Sequence, residues 1–210
     1  MVLQQIVVNM KLHNTIVLLP NQLNNDLYLN LKTNLKYKVE KKCISVGYIY
    51  KVLSIEDYSK GYIIPEDLNG NIIFNVTYIA SVCNPIVNNQ MICKIDKFIK
   101  NVILCKNGAV TIIITTNNIN TSLFNINSQG SLIYLKNNSK LNNNCYLKIT
   151  IKSKRSYIGD NVVGVIGFID DVATTEEINE YIYVPDEEDI YANENQDNIE
   201  INEDNIDIEQ

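Results

Sequence analysis

Catalytic chemistry has little to work with in these 210 residues. His13 is the only histidine, which excludes a histidine-based triad and any multi-histidine metal site. The five cysteines (Cys43, Cys83, Cys93, Cys105 and Cys145) are odd in number and scattered, with no C-x-x-C pair. That spacing speaks for reduced thiols on or beside strands, not for zinc or disulfides. Glu66-Asp67 and Asp170-Asp171 are adjacent carboxylates. No further base or ligand is spaced to join either pair, so they read as solvated turn residues. There is no Gly-x-x-x-x-Gly-Lys-Ser/Thr loop, and Gly159, Gly164 and Gly167 lack dinucleotide spacing. The residues nominate no catalytic group, no metal ligand and no cofactor. The lysines are more suggestive. Lys94, Lys97, Phe98, Lys100 and Lys106 form one cluster; Lys148, Lys152, Lys154, Arg155 and Tyr157 form another. Cationic grooves with aromatic side chains track phosphates and stack bases with little sequence preference. Lysines beside strands also guard sheet edges, and charge alone leaves both readings open.

The charge is unevenly distributed. Residues 176–210 hold 14 of the 24 acidic residues and no Lys or Arg, whereas residues 1–175 carry 18 basic against 10 acidic side chains, a net of +8. A basic body attracts polyanions; an acidic tail screens it or binds a basic partner. Asn, Ile, Tyr and Lys are abundant, and all are encoded largely by A/T-rich codons. Apolar residues make up 46% of the chain, enough for a real core. No apolar run approaches the ~20 residues that span a bilayer, and the N-terminus lacks the basic and small-residue features of a signal peptide. The expectation is a soluble intracellular protein with no membrane partner.

Three regions must position these side chains. In residues 1–85 the expected order is strand, helix and three strands: an α+β domain with one helix on an antiparallel sheet. Residues 4–19 hold one or two strands ending at Pro20. Leu23, Leu27, Leu31, Leu35 and Val39 recur every four residues and mark a helix. Asn21 or Asn24 would cap it, and Lys36, Lys38, Lys41 and Lys42 suit its negative end. Residues 43–55 read as one strand and 56–61 as a polar turn. A short strand then stops at Pro65, Asn69-Gly70 turns the chain, and Phe74, Val76, Tyr78, Ala80 and Val82 alternate along a long strand that Pro85 closes. In residues 86–172, strands at 91–96, 101–105, 110–115, 145–151 and 161–170 suggest an all-β barrel of the OB type. The long Asn/Ser-rich connection at 117–144 would carry an extra strand or lid at Leu132-Ile-Tyr-Leu135. Residues 173–210 form the acidic tail, expected to be disordered apart from a short helix near Glu176 to Glu180.

The segment Gly61-x-Ile63-x-Pro65, an acidic residue, a Gly-containing turn and Phe74-x-Val76-x-Tyr78-x-Ala80 resembles the stalk subunit of multisubunit DNA-directed RNA polymerases. That family includes the seventh subunit of eukaryotic RNA polymerase II and its archaeal counterpart. The likeness extends upstream to Leu31-Lys-Thr-Asn-Leu35, Val39-Glu40 and Gly47-Tyr-Ile49, and more loosely to Ile149-Thr-Ile151-Lys152-Ser-Lys154, about residues 10–172 in all. It implies an N-terminal domain with a protruding tip that plugs into the polymerase core near the clamp, followed by an OB/S1-like barrel. Gly61, Ile63, Pro65, Asp67, Gly70 and Phe74 match the docking tip. The family's barrel lies near the RNA exit path, which makes Lys94, Lys97, Phe98, Lys100, Lys152, Lys154 and Arg155 candidates for nascent RNA. Catalysis would then belong to the large polymerase subunits, the expected partners, beside a fourth-subunit-like stalk partner. Lys97 stands where S1-type barrels usually carry Gly before the aromatic, so RNA contact has less support than docking. The codon bias points to a large cytoplasmic DNA virus or an A/T-rich protist: host cytoplasm and virion if viral, nucleus if cellular. The rival readings are a free-standing OB-type single-stranded RNA-binding protein and a purely structural adaptor.

Overall fold

A computed structural model describes residues 2–65, 68–99, 102–126 and 132–184. Among these the chain is mostly β, with two α-helices and a closed five-strand barrel. The first part runs β1 (Val7–Leu18), α1 (Leu27–Val39), β2 (Lys42–Ile44), β3 (Gly47–Tyr58), β4 (Tyr62–Ile63) and β5 (Ile72–Cys83). The rest runs β6 (Gln90–Ile99), β7 (Val102–Asn107), β8 (Val110–Thr115), β9 (Phe124–Ile126), β10 (Leu132–Tyr134), β11 (Ser139–Lys140), β12 (Tyr146–Arg155), β13 (Val163–Val172) and α2 (Thr175–Tyr181).

β5 is the central strand of the first sheet, whose order is β1-β5-β3-β2. Its alternation has the expected effect: Ile72, Phe74, Val76, Tyr78, Ala80 and Val82 all point into one core. β1 pairs with the whole length of β5, from Val7↔Cys83 to Leu18↔Ile72. Leu31, Leu35 and Val39 of α1 lie in the same core. The helix begins at Leu27, not Leu23. Asn24 Oδ1 accepts the Asp26 amide at 2.9 Å, a local turn that competes with helix, and Leu23 is exposed. Residues 43–55 are not one strand. Ser45 and Val46 turn β2 back onto β3, and Gly47 allows it, because a Cβ there would sit 2.3 Å from the Cys83 carbonyl oxygen. β3 then runs through the expected polar turn to Tyr58, with three register shifts against β5 that bend it along its partner.

The barrel closes in the order β12-β13-β8-β7-β6. Its pairs are antiparallel except β13 with β8, which is parallel. Met91, Cys93, Ile95, Cys105, Ile112, Ile114, Ile149, Ile151, Val165 and Ile169 fill it. Ile6, Cys43, Tyr48 and Cys83, from the near end of the first sheet, join this cluster, so apolar packing continues from sheet to barrel. Within the connection at 117–144, β9, β10 and β11 form a small sheet in the order β11-β10-β9. Tyr134 and Lys136 anchor it by donating to the Asp171 carboxylate at 2.8 and 3.0 Å. Burial pushes the Asp171 carboxyl up, but the Lys136, Tyr134 and Val172 hydrogen bonds outweigh it and hold it below the ordinary carboxylate range. A depressed folded pKa adds stability above the unfolded value, near 3.9, and that stability is lost as pH falls through the folded value. Acidification below about pH 4 is therefore expected to loosen the β9–β11 sheet. Protease cleavage within 117–144 should rise there, and Asp171→Asn should bring the same susceptibility at neutral pH.

Chain order continues past residue 173. Thr174 caps α2 through the Glu177 amide, and the Glu177 carboxylate accepts the Thr174 amide in return. Beyond α2, Tyr183 stacks on Tyr50 with ring centroids 4.1 Å apart. Buried Asn107 holds this strap: its Nδ2 donates to the Ile92 and Tyr181 carbonyls at 2.9 and 3.0 Å, and its Oδ1 accepts the Tyr183 amide at 2.9 Å. Replacing Asn107 by Leu leaves those groups unpaired and should cost about 2–4 kcal/mol. A lower urea midpoint and faster proteolysis around residues 181–184 are the expected readouts; an unchanged midpoint would contradict this role for the strap. The expected disorder of residues 185–210 lies outside the described residues.

Candidate functional site

The segment expected to dock sits at the far end of β5. β4 pairs there, Tyr62↔Ile73 and Ile63↔Ile72, on the side β3 has left. Gly61 makes this crossing possible: a Cβ would lie 2.6 Å from Ile72 Cγ2 and 2.7 Å from Phe74 Cζ. Gly70 closes the turn at φ +65°, a conformation glycine adopts without strain. Asp67, like Glu66, lies outside the described residues; Pro65 precedes them in a turn. Phe74 is buried, its ring edge-on to Tyr58 at 6.4 Å, so it supports the tip from below and has no exposed face to offer a partner.

Several described side chains of the tip are apolar and exposed. Leu68 is 98% exposed and Ile63 56%, with Tyr62 and Ile64 also open to solvent. Val17, Ile73 and Tyr62 stand opposite one another across β1, β5 and β4, and Leu19 and Leu23 are exposed where β1 ends. Pro20 lies close by, 3.7 Å from the position a Cβ of Gly70 would take. Leu19, Leu23, Ile64 and Leu68 extend the patch beyond the docking residues expected from sequence. Their only signal there is apolar type beside turn formers, which identifies a patch once the turns are seen to converge. Exposed apolar side chains gathered at one end of a sheet make this a candidate interaction surface.

The basic candidates do not form one groove. Lys94 pairs across from Tyr146 at the start of β12, and Thr150 from Gln90. Lys152, Lys154 and Arg155 therefore continue β12 away from Lys94. At ~3.3 Å per residue, Lys94 and Lys154 are separated by roughly 25 Å along the ladder. Lys97 lies farther along β6 in the same direction, beyond a bulge. Phe98 packs partly against the barrel core, and Lys100 lies outside the described residues. Two other lysines are already neutralised: Lys106 pairs with Asp96 at 3.2 Å and half-buried Lys148 pairs with Glu177. At the other end, Lys152 lies 5.2 Å from the Phe168 ring centre, Arg155 lies 4.6 Å from that of Tyr157, and Lys154 donates to Asn84 at 2.7 Å.

Among the described residues, no three His, Cys, Asp or Glu side chains gather to hold a metal ion, and no helix is long and apolar enough to cross a membrane. His13 Nδ1 meets Thr77 Oγ1 at 2.9 Å on the exposed side of the sheet. Burial pushes the Cys83 thiol up to about 12, and burial beside Cys105 raises Cys93 well above the ordinary thiol range, the opposite of an activated nucleophile.

No protein-family model matches the chain. A protein of Acanthamoeba polyphaga mimivirus assigned as a DNA-directed RNA polymerase subunit is 30% identical over 171 residues, which cover 81% of this chain and 85% of that protein. Likeness of that degree over most of both chains identifies the family: this chain is a DNA-directed RNA polymerase subunit of the viral kind.

Proposed function

We propose that the chain is the stalk subunit of its polymerase, a non-catalytic component that docks on the core near the clamp through residues 61–74 and guides nascent RNA along its barrel. Exposed apolar side chains at the tip carry this reading: Tyr62, Ile63, Ile64 and Leu68 are held out to solvent beside a glycine-shaped turn next to β5, a strand paired on both sides. A preformed projection of this kind binds at low ordering cost. The first sheet with α1 serves as the docking domain of residues 1–85. The barrel of residues 86–172, whose strands close on one another with one parallel pair, fits an OB/S1-like module. Residues 185–210 supply a separate acidic segment.

Gly61, Ile63, Pro65, Asp67 and Gly70 form or shape the docking loop, and Phe74 braces it. Lys152, Lys154 and Arg155 are the barrel residues best placed for RNA, because Lys106 and Lys148 have carboxylate partners and Lys94 and Lys97 stand apart. The large polymerase subunits are the docking partners, with a fourth-subunit-like protein beside the barrel; host cytoplasm and virion are the compartments. Affinity purification of the tagged chain from infected cells tests the assignment. Recovery of both large subunits in stoichiometric amount is expected. A chain that purifies free, or with RNA only, would favour the free-standing RNA-binding reading.

A further inference from the structure

The basic end of β12 does not stop at the barrel. The loop after it, residues 156–162, is tied to β2 of the first sheet: the Cys43 amide donates to the Asp160 carbonyl at 2.7 Å, and the Gly159 amide to the Cys43 carbonyl at 2.9 Å. Cys43 Sγ also approaches the Val162 carbonyl at 3.5 Å. Lys42, one residue before Cys43, is thereby set beside this loop. An open groove runs on from there, lined by Lys36, Tyr37, Glu40, Lys41, Lys42, Tyr48 and Asn161. Tyr37 is 86% exposed, with Lys42 Nζ 5.5 Å from its ring centre; Tyr157, on the barrel side, is 57% exposed beneath Arg155. Two carboxylates belong to this surface, Glu40 in the groove and Asp160 on the loop, and each accepts a backbone amide. Glu40 accepts the Val52 amide at 2.6 Å, and Asp160 the Tyr157 amide at 3.0 Å. The C-terminal end of α1 adds its own negative pole, which these lysines offset.

We propose that single-stranded RNA crosses from the barrel onto the first sheet along this surface. Lys152, Lys154 and Arg155 hold its phosphates on β12, Lys42, Lys41 and Lys36 hold them past the loop, and Tyr157 and Tyr37 are the stacking platforms. The inference rests on the RNA-guiding part of the stalk reading and assigns it a second, non-barrel half. Exposed tyrosines each paired with a cation suit bases and phosphates together, whereas an acidic peptide would use the lysines and leave the rings idle.

The test is fluorescence anisotropy of a labelled oligouridine with the full chain across a salt series. Replacing Lys36 and Lys42 by Glu with Tyr37 by Ala should weaken binding at least tenfold and reduce the salt slope by about 1.4, two phosphate contacts at ~0.7 each. Replacing Lys94 and Lys97 by Glu should change neither. A milder set, Lys36→Gln with Lys42→Gln, should lower the slope while leaving the melting temperature intact, which separates binding from folding. Wild-type affinity in the α1-end variants, with loss only on Lys152→Glu and Lys154→Glu, would overturn the crossing and leave RNA on the barrel. Absence of salt-dependent binding by the wild-type chain would overturn the RNA-guiding reading as well. Binding that appears only after removal of residues 185–210 would make that acidic segment the occupant and overturn the proposal.

Discussion

Aspartate at Ile63, Ile64 and Leu68 together is expected to release the chain from the polymerase core without unfolding it. All three side chains are already exposed, so the free chain loses little: surface changes of this kind stay within about 0.5 kcal/mol each. Docking is different. Burying each apolar side chain against a partner is worth about 1.5–3 kcal/mol, so the three contribute roughly 4–9 kcal/mol, and a carboxylate forced into the same interface adds a desolvation cost. Even the lower figure is close to a thousandfold in affinity. Phe74→Ala separates docking from folding. Phe74 is buried beneath the tip, and its truncation should cost about 3–5 kcal/mol of stability. The triple aspartate variant should therefore melt like the wild type and fail to co-purify with the large subunits, whereas Phe74→Ala should melt early. Full recovery of the polymerase with the triple variant would place docking elsewhere on the molecule.

Gly47→Ala is expected to cost stability on the same scale as truncating Phe74. The added Cβ would stand 2.3 Å from the Cys83 carbonyl oxygen and 3.2 Å from Val82 Cγ1, at φ +153°. The obstacle is backbone, so no rotamer change relieves it. Gly47 begins β3, and the neighbouring Tyr48 and Cys83 belong to the cluster shared with the barrel, so a shift here disturbs both units. A cost of about 3 kcal/mol or more is expected, which lowers the urea midpoint by about 1 M or more at the slopes usual for small proteins. Gly159→Ala is the control. Its φ is +94°, but nothing lies within 4 Å of the added atom; the cost should be only ~1–2 kcal/mol. Equal midpoints for the two variants would show that the close approach at Gly47 does not govern stability.

Side-chain periodicity makes much of the chain legible. The alternation from Phe74 to Val82 and the fourfold spacing of Leu31, Leu35 and Val39 identify their buried faces because burial imposes those periods on strand and helix. The pattern fails where one polar atom or one glycine decides. Asn24 shortens α1 through a hydrogen bond that periodicity does not see, and Gly47 converts an apparently continuous strand into a hairpin. The strap is hidden for a similar reason. Asn107 stands before Gly108, a pair that forms turns, yet its side chain binds three backbone groups, two of them more than 70 residues away. The candidate site divides along the same line. Turn chemistry identifies the Asn69-Gly70 turn, and the family resemblance groups Phe74 with the docking residues, although the alternation that identifies β5 also buries Phe74. Sequence proximity and strand assignment group the basic residues, whereas register decides whether lysines on two strands meet. The ladder between β6 and β12 sets Lys94 and Lys154 apart. Two backbone hydrogen bonds at Cys43, which no composition reveals, join the loop after β12 to β2.

Lysine-directed crosslinking and mass spectrometry of the native polymerase would test the docking claim most directly. Lys60 is exposed at the base of the tip, one residue before Gly61, while Lys136 and Lys140 lie at the small β9–β11 sheet. Crosslinks from Lys60 to a large subunit, with Lys136 and Lys140 free of core crosslinks, are the expected result. Core crosslinks from Lys136 and Lys140, with Lys60 bearing none, would contradict it.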